Sequence, residues 1–170
     1  MKVTQGIVDG RRIREGLRAG AVAALVSGIP STVYSVARRR DPLEATIAAG
    51  SMLLRHETRR VYLVAAAIPI HFALSGFWGI VLAQFLPRKR PLASGTIAGL
   101  GIGVLDLLVV GRRFPRIRAL PTAPQLADHV AFGVTVAFLL RATANEGELP
   151  TFEPATGSTD PTNRRRTTFR

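Results

Sequence analysis

The feature that most constrains this chain is a run of 27 residues, from Val61 to Pro87, that carries no formal charge. An α-helix needs about 20 consecutive apolar residues to cross a hydrocarbon core of roughly 30 Å, so this run is long enough to span a bilayer with some tilt. A helix in the core of a soluble protein does not need that length. The run contains one histidine, His71, which lies near its centre. The run therefore predicts a transmembrane helix that holds a polar group inside the membrane.

Three further apolar segments are close to bilayer length, which makes four predicted spans: residues 16–37, 61–86, 92–111 and 123–141. Arg11, Arg12 and Arg14 ahead of the first segment imitate a secretory signal, but the spans that follow favour an uncleaved first helix. A fifth helix is predicted from Pro42 to about His56. With roughly 14 residues it is too short to span, and it is predicted to lie on the interface or to re-enter the membrane. The predicted fold is an all-α, polytopic membrane bundle.

The polar ends of the chain define three predicted domains. Residues 1–15 form a basic N-terminal segment, and residues 16–141 form the transmembrane helical bundle. Residues 142–170 form a polar, basic C-terminal tail that is predicted to be disordered, because this composition cannot bury enough apolar surface to order itself.

Residues that favour the first turn of a helix precede several of these segments. Pro91 suits the first helical position of the third span. Thr122 with Gln125 has the spacing of a capping box, and Asp41 with Glu44 has a similar pattern ahead of the short helix. These signals predict where three of the helices begin.

The chain is strongly basic, and its charge is concentrated between the apolar segments. It has 23 Lys and Arg against 11 Asp and Glu, a net charge of +12 and a pI near 11.7. In a soluble domain this charge would indicate nucleic-acid binding. Here the basic clusters at 38–40, 88–90 and 112–113 flank the spans, where anionic headgroups attract each basic residue by about 1 kcal/mol. The predicted partner is therefore the lipid bilayer, with no nucleic acid.

The orientation in the membrane is not determined by these charges. We define side B as the membrane face reached by residues 38–60 and 112–118, and side A as the face that holds both termini. Basic residues near the span ends are almost evenly divided between the two sides, so the positive-inside rule does not select an orientation. One alternative is insertion in both orientations as an antiparallel dimer. Another homo-oligomer, or a larger membrane complex, is also left open.

Small residues recur at four-residue intervals along three of the predicted spans. They are Gly16, Gly20, Ala24 and Gly28 in the first, Ser75, Gly79 and Ala83 in the second, and Gly95, Gly99 and Gly103 in the third. Such stripes let helix backbones approach closely, which matters because lipid supplies no hydrophobic force between helices. The stripes predict a tight bundle, and packing within one chain is favoured over packing between chains.

Four ionisable side chains lie inside the predicted spans: His71, Asp106, Asp128 and His129. At 1.5 Å per residue, His71 lies about 15 Å from the side B end of its span, and the two aspartates lie about 8 to 9 Å from the same face. The four are predicted to form one intramembrane polar cluster in the side B half, in which the carboxylates orient or charge the imidazoles. Three interpretations are open: structural interhelical hydrogen bonding, a path for a proton or small solute, and haem held between the two histidines.

Motifs for enzymatic chemistry are absent from the sequence. The chain has no cysteine, which removes thiolate metal sites and thiol catalysis. Asp128 and His129 are adjacent and point about 100° apart, which disfavours a metal site. Neither a phosphate loop nor a nucleophile elbow is present. No catalytic or metal residue is predicted, and the preferred function is a non-enzymatic membrane protein that handles a proton or small solute. The alternative is a structural or assembly subunit of a larger membrane complex.

The stretch from His71 to Arg141 has a distinctive order of elements. The helix HFALSGFWGIVLAQFLP is followed by a short basic turn, a helix with Gly95 and Gly99, a break at residues 114–115, and an acid–histidine pair at 128–129 before a final apolar run. This order, with the opening GLRAGAVAALVSG, resembles the YagU-like bacterial inner-membrane proteins over about two thirds of the chain. The resemblance implies a helical bundle in the bacterial cytoplasmic (inner) membrane. The family has no agreed reaction or ligand, so the resemblance assigns no functional residue.

Overall fold

The computed structural model describes residues 9–87 and 89–146, and every regular element within them is helical. In chain order these are α1 (Gly10–Ser27), α2 (Ile29–Ala37), α3 (Glu44–Gly50), α4 (Arg60–Phe85), α5 (Pro91–Leu105), a π-helical turn (Asp106–Val110), α6 (Gly111–Arg113), α7 (Pro115–Arg118) and α8 (Thr122–Glu146). Four helical stretches are long and apolar enough to cross a membrane: Gly10–Ala37, Arg60–Phe85, Pro91–Arg113 and Thr122–Ala144. The predicted all-α fold with four spans is confirmed.

The spans lie side by side in the order α4, α1, α8, α5, so α1 and α8 occupy the central positions. Each span runs antiparallel to its neighbours in this order, because consecutive spans cross the membrane in opposite directions. On side B, α2 continues the first span alongside α8, and α3 packs against the start of α4. The central helices therefore meet neighbours on both sides, whereas α4 and α5 each present one broad face to lipid.

Close backbone contact joins α1 to α4. A Cβ atom added to Gly16 would lie 2.7 Å from the carbonyl oxygen of Gly79, and one added to Gly20 would overlap the carbonyl oxygen of Ser75. Real Cβ atoms do not approach backbone atoms this closely, so any larger residue would push the helices apart. The two helices are held by van der Waals contact between backbones, as is typical of small residues in membrane interfaces.

A second set of glycines joins α5 to α8. A Cβ atom on Gly95 would lie 2.7 Å from the carbonyl oxygen of Gly133, and one on Gly99 would lie 2.7 Å from the Cα atom of Val130. Gly103 continues this face, and its missing side chain leaves room for the side chain of His129, whose Cβ atom would be 3.2 Å from an added Cβ. The glycines of α5 therefore determine how closely the polar part of α8 approaches.

Gly28 differs from the predicted packing stripe. A Cβ atom built on Gly28 would meet nothing within 4 Å. The residue lies between α1 and α2, where the first span is interrupted. Gly28 is therefore part of a helix break and not of a helix contact.

An apolar cluster fills the side A half of the bundle and draws side chains from all four spans: Ala19, Ala23, Leu82, Ala83, Ile102, Phe132, Val136 and Leu140. Val136 and Leu140 of α8 are almost completely buried. Large apolar residues such as Leu25, Phe85 and Ile97 are exposed on the outer surface. That exposure is expected where the surrounding solvent is lipid.

Several predicted boundaries differ from the structure. The first helix begins at Gly10, inside the predicted basic segment 1–15, and the last continues to Glu146, beyond the predicted end at 141. The predicted helix 42–56 is reduced to Glu44–Gly50, because residues 51–59 form turns and an irregular connection that leads to α4 at Arg60. Residues 1–8 and 147–170, which include most of the predicted tail, lie outside the described residues.

The predicted capping box at the start of α8 is also wrong in detail. The side-chain amide of Gln125 reaches back, but its Nε2 donates to the carbonyl oxygens of Leu120 and Pro121, at 3.1 and 3.4 Å. Asp41 does act as a local acceptor, since its Oδ1 accepts the backbone N–H of Leu43 at 3.0 Å.

One of the ion pairs on side B joins the residue Asp41, ahead of α3, to the first residue of α4. Arg60 makes two contacts with the carboxylate of Asp41, at 2.6 and 3.0 Å, and these bonds, with the backbone N–H of Leu43, lower the pKa of Asp41. Glu57 accepts from the Arg59 guanidinium and from backbone N–H groups, which lowers the pKa of Glu57 to about 2. Both carboxylates are solvent-exposed, so salt screens these pairs.

The glycine contacts predict that two substitutions on α5 will have different effects on the stability of the protein. Gly99→Ala places a methyl group against the backbone of α8, and we expect it to destabilise the protein by about 1–3 kcal/mol. Gly101→Ala on the same helix meets nothing within 4 Å and is expected to be neutral or stabilising by up to about 1 kcal/mol. Unfolding in mixed detergent micelles measures both. Equal stability of the two variants would contradict close α5–α8 contact.

The Glu57 carboxylate predicts a loss of stability in acid. A pKa lowered from 4.5 to about 2 stabilises the folded state fully above pH 4.5, and this contribution disappears as the pH falls toward 2. Thermal unfolding temperatures in detergent should therefore decline over this range. The unfolding temperature of Glu57→Gln should decline less steeply over this pH range than that of the wild type. An unchanged slope in the variant would show that the Glu57 pair does not contribute.

Candidate functional site

The first span is interrupted in the side B half of the membrane. α1 ends at Ser27, Gly28 forms a turn, and α2 begins at Ile29 with Pro30 in its first turn. Proline has no N–H and disrupts the preceding helical turn, so the break leaves backbone groups without their usual intrahelical partners. Inside a bilayer, other protein groups have to satisfy them.

Asp128 of α8 satisfies the N-terminal side of this break. Its Oδ1 accepts the backbone N–H of Ser31 at 2.8 Å, a contact that joins residues 97 positions apart. The carboxylate thus acts as an N-cap for α2, supplied by a neighbouring helix. A negative charge is also favourable at the positive end of a helix dipole.

His71 of α4 satisfies the C-terminal side of the break. Its Nε2 lies 2.8 Å from the carbonyl oxygen of Ala24 in the last turn of α1. A carbonyl oxygen only accepts, so Nε2 carries the proton in this contact. The rest of His71 is exposed on the outer surface of the bundle, so it lies at the margin of the polar cluster and not in its centre.

His129 and Asp106 form the third contact. Nδ1 of His129 lies 2.7 Å from the carbonyl oxygen of Gln125, one turn earlier in α8, and therefore donates to it. Nε2 then points toward Asp106, 3.9 Å from its Oδ2. Both side chains are about three-quarters buried, with 25% and 23% of their surface exposed.

Asp106 begins a π-helical turn. The N–H of Gly111 bonds to the carbonyl oxygen of Asp106, five residues earlier, in place of the four-residue spacing of an α-helix. Such turns are rare and occur frequently at functional sites. The wider turn begins three residues after Gly103, the residue that makes room for His129.

Asp128 connects the two sets of contacts, because it bonds to the broken first span and precedes His129 directly in α8. The structure therefore places the four predicted residues in one region, but in two pairs with different partners. His71 and Asp128 bond to the broken helix, whereas Asp106 and His129 face each other across α5 and α8.

Sequence reasoning missed the partners of these side chains. Ser31 and Ala24 take part through their backbones, which no side-chain pattern reveals. The available signal was Pro30, a proline inside a predicted span followed by hydroxyl residues. The π-helical turn has no recognisable sequence signal.

The arrangement does not favour a haem or metal site. Both imidazoles already bond to backbone carbonyls, through Nε2 of His71 and Nδ1 of His129. Among the residues described, no group of three or more His, Asp or Glu side chains has the arrangement of a metal site.

Comparison with protein-family models, curated proteins and solved structures finds no match to this chain.

The helix break predicts that two substitutions of Asp128 will differ in their effect on the free energy of unfolding. Asp128→Ala leaves the Ser31 N–H without an acceptor, and we expect a loss of about 1–3 kcal/mol in unfolding free energy. Asp128→Asn keeps a side-chain oxygen in the same position and should retain most of that stability. Unfolding in detergent micelles distinguishes them. Equal losses in both variants would show that charge, and not the hydrogen bond, is what α2 requires.

Proposed function

We propose that this chain is a small, non-enzymatic, multi-pass membrane protein that handles a proton through its intramembrane His/Asp cluster. The observation that carries the proposal is the geometry of the Asp106–His129 pair. Nδ1 of His129 donates to a backbone carbonyl, so in a neutral ring Nε2 presents a lone pair to the Asp106 carboxylate 3.9 Å away. Two facing lone pairs repel, and one proton placed on either group converts the repulsion into attraction.

The other two ionisable residues have a structural role, which leaves the Asp106–His129 pair to handle the proton. Asp128 and His71 are engaged by the backbone of the broken first span. Among the described residues Asp106 has no comparable backbone partner, although it lies within the third membrane span. An intramembrane carboxylate is costly by about 2.5 to 3.5 kcal/mol on insertion scales, and such residues by default mark proton or ion pathways. A small solute that carries or exchanges a proton fits the same pair.

We also propose a bacterial inner-membrane location and a relationship to the YagU-like proteins, both from the sequence resemblance. Interaction with anionic headgroups is supported on side B by guanidinium groups held at the membrane boundary. Arg59 lies 4.1 Å from the ring centroid of Tyr62, and Arg38 lies 5.7 Å from that of Tyr34. Aromatic residues at this level are typical of the membrane interface.

The proton proposal predicts coupled titration of Asp106 and His129. In wild-type protein reconstituted in nanodiscs, acidification should change the His129 imidazole nitrogen resonances together with the aspartate carboxylate infrared band. Asp106→Asn removes the carboxylate, so the His129 resonances should follow a different pH dependence and the coupled infrared change should be lost. His56→Gln provides a background with fewer imidazole signals, since the chain has three histidines.

The matched control for this measurement is Asp41→Asn, which removes a side B carboxylate that is bonded to Arg60 and not to the cluster. It should leave the His129 titration unchanged. If Asp106→Asn also leaves that titration unchanged, the pair does not share a proton and the proposal is wrong.

A structural or assembly subunit is the second candidate. It is favoured by the contacts of Asp128 and His71, which stabilise a helix break, and by the close glycine interfaces. Purification in mild detergent tests it. A reproducible large complex that persists in Asp106→Asn would support the assembly role, whereas an isolated protein that loses proton coupling in this variant would support the first proposal.

A further inference from the structure

Two cavities lie between the side B surface and the polar cluster. The outer one is an open cleft of about 560 Å³, lined by Arg40, Asp41, Glu44, Ile47, Ala48, Arg116 and Ala119. The inner one has a volume of about 20 Å³ and lies between α2, α3 and the start of α8. A water molecule needs about 10–15 Å³ of such volume, so the inner cavity accommodates one water.

Glu44 lines both cavities. It is the first residue of α3, and its carboxylate accepts from the Arg40 guanidinium at 2.8 and 3.1 Å. Of the residues that line either cavity, it is the one common to both. A carboxylate between a surface cleft and a water-sized cavity is suited to pass protons between them.

Two residues that line the inner cavity also form hydrogen bonds with the polar cluster. Ser31, whose N–H bonds to Asp128, lines it on one side, and Gln125, whose carbonyl accepts from His129, lines it on another. Tyr34 and Ser35, which both carry hydroxyl groups, also line this cavity. Because polar residues form part of the lining, an ordered water is favoured there, whereas wholly apolar cavities stay dry.

A second observation also points to water at the cleft. Nη2 of Arg116 donates to the carbonyl oxygen of Glu57 at 3.1 Å, but its Nη1 is buried and has no hydrogen-bond partner among the described residues. Buried polar groups of this kind are generally satisfied by water. On side A, by contrast, the cluster is followed by the apolar side chains of the bundle core.

We propose that Glu44 and the water-sized cavity beneath it form a one-sided access route, by which protons and water from side B reach the Asp128–Asp106–His129 cluster. The route rests on the proposed proton function and adds that exchange occurs with one membrane face only. The ionisable groups around it come from every element packed there: Tyr34, Arg40, Asp41, Glu44, His71, Asp106, Arg116, Asp128 and His129. The four ionisable residues of the outer cleft carry balanced formal charges, so the cleft neither concentrates nor excludes small ions strongly.

Single cysteines test the route directly, because the natural chain has none. Ser31→Cys and Ser35→Cys place a thiol in the inner cavity, and Ser27→Cys places one in the same span outside it. The three serines are equally buried, with 8%, 9% and 6% exposure. Silver ions are small enough for a water-sized passage, and they block later labelling of the thiol by a fluorescent maleimide in denaturant.

The expected result is loss of maleimide labelling at Ser31→Cys and Ser35→Cys when silver is added from side B, with no loss when it is added from side A. Ser27→Cys should label fully in both cases. The sides are identified with exposed markers, Thr58→Cys on side B and Lys89→Cys on side A. Full labelling of both cavity thiols, equal reaction from both sides, or equal reaction at Ser27→Cys would each overturn the route.

A second measurement tests the role of Glu44. Glu44→Gln should slow proton exchange at the Asp106–His129 pair by about tenfold or more after a pH jump, because it removes a proton-transferring group. Glu57→Gln is the matched control, since Glu57 is also a side B carboxylate paired with an arginine but lines neither cavity. Equal rates in the two variants would overturn the role of Glu44.

The two proposals fail in different ways. Sided silver protection without coupled titration of Asp106 and His129 would retain the water route and overturn the proton function. Coupled titration without silver protection would retain the function and overturn the route.

Discussion

The absence of water inside the bilayer is the constraint on which this structure depends. A break in the first span exposes the N–H of Ser31 and the carbonyl of Ala24, and neither is solvated in hydrocarbon. Asp128 and His71 supply the missing partners at 2.8 Å each. These two bonds connect the first span to α8 on one side and to α4 on the other. Asp128 and His71 are thus tolerated in the membrane interior because they satisfy backbone groups that the helix break leaves unpaired.

The glycine contacts fix the helix register that brings these hydrogen-bonding groups together. Along the antiparallel α1–α4 pair, Gly16 meets Gly79 and Gly20 meets Ser75, and one further four-residue step brings Ala24 to His71. The interface therefore changes from backbone packing to a hydrogen bond at the position where α1 ends. On the other side of the bundle, the glycine face of α5 brings Asp106 to within 3.9 Å of His129.

The two halves of the membrane-spanning region have different chemistry. The side A half is filled by small and large apolar side chains from all four spans. The side B half holds the helix break, the ionisable residues, the π-helical turn and the cavities beneath α3. This asymmetry supports the proposed exchange with one membrane face over a continuous channel. Within the side B half, the residues that stabilise the break are distinct from the Asp106–His129 pair, whose contact involves no broken helix.

Sequence alone determined the four spans and placed the ionisable residues in one membrane half, because span length and depth depend on contiguous hydropathy and on the helical rise. Tertiary structure decided the rest: the order α4, α1, α8, α5, the short α3, the unpacked Gly28 and the backbone partners of Asp128 and His71. These features depend on which helices are neighbours and how each is rotated. That information lies in close contacts between residues as much as 97 positions apart, and no local pattern along the chain contains it.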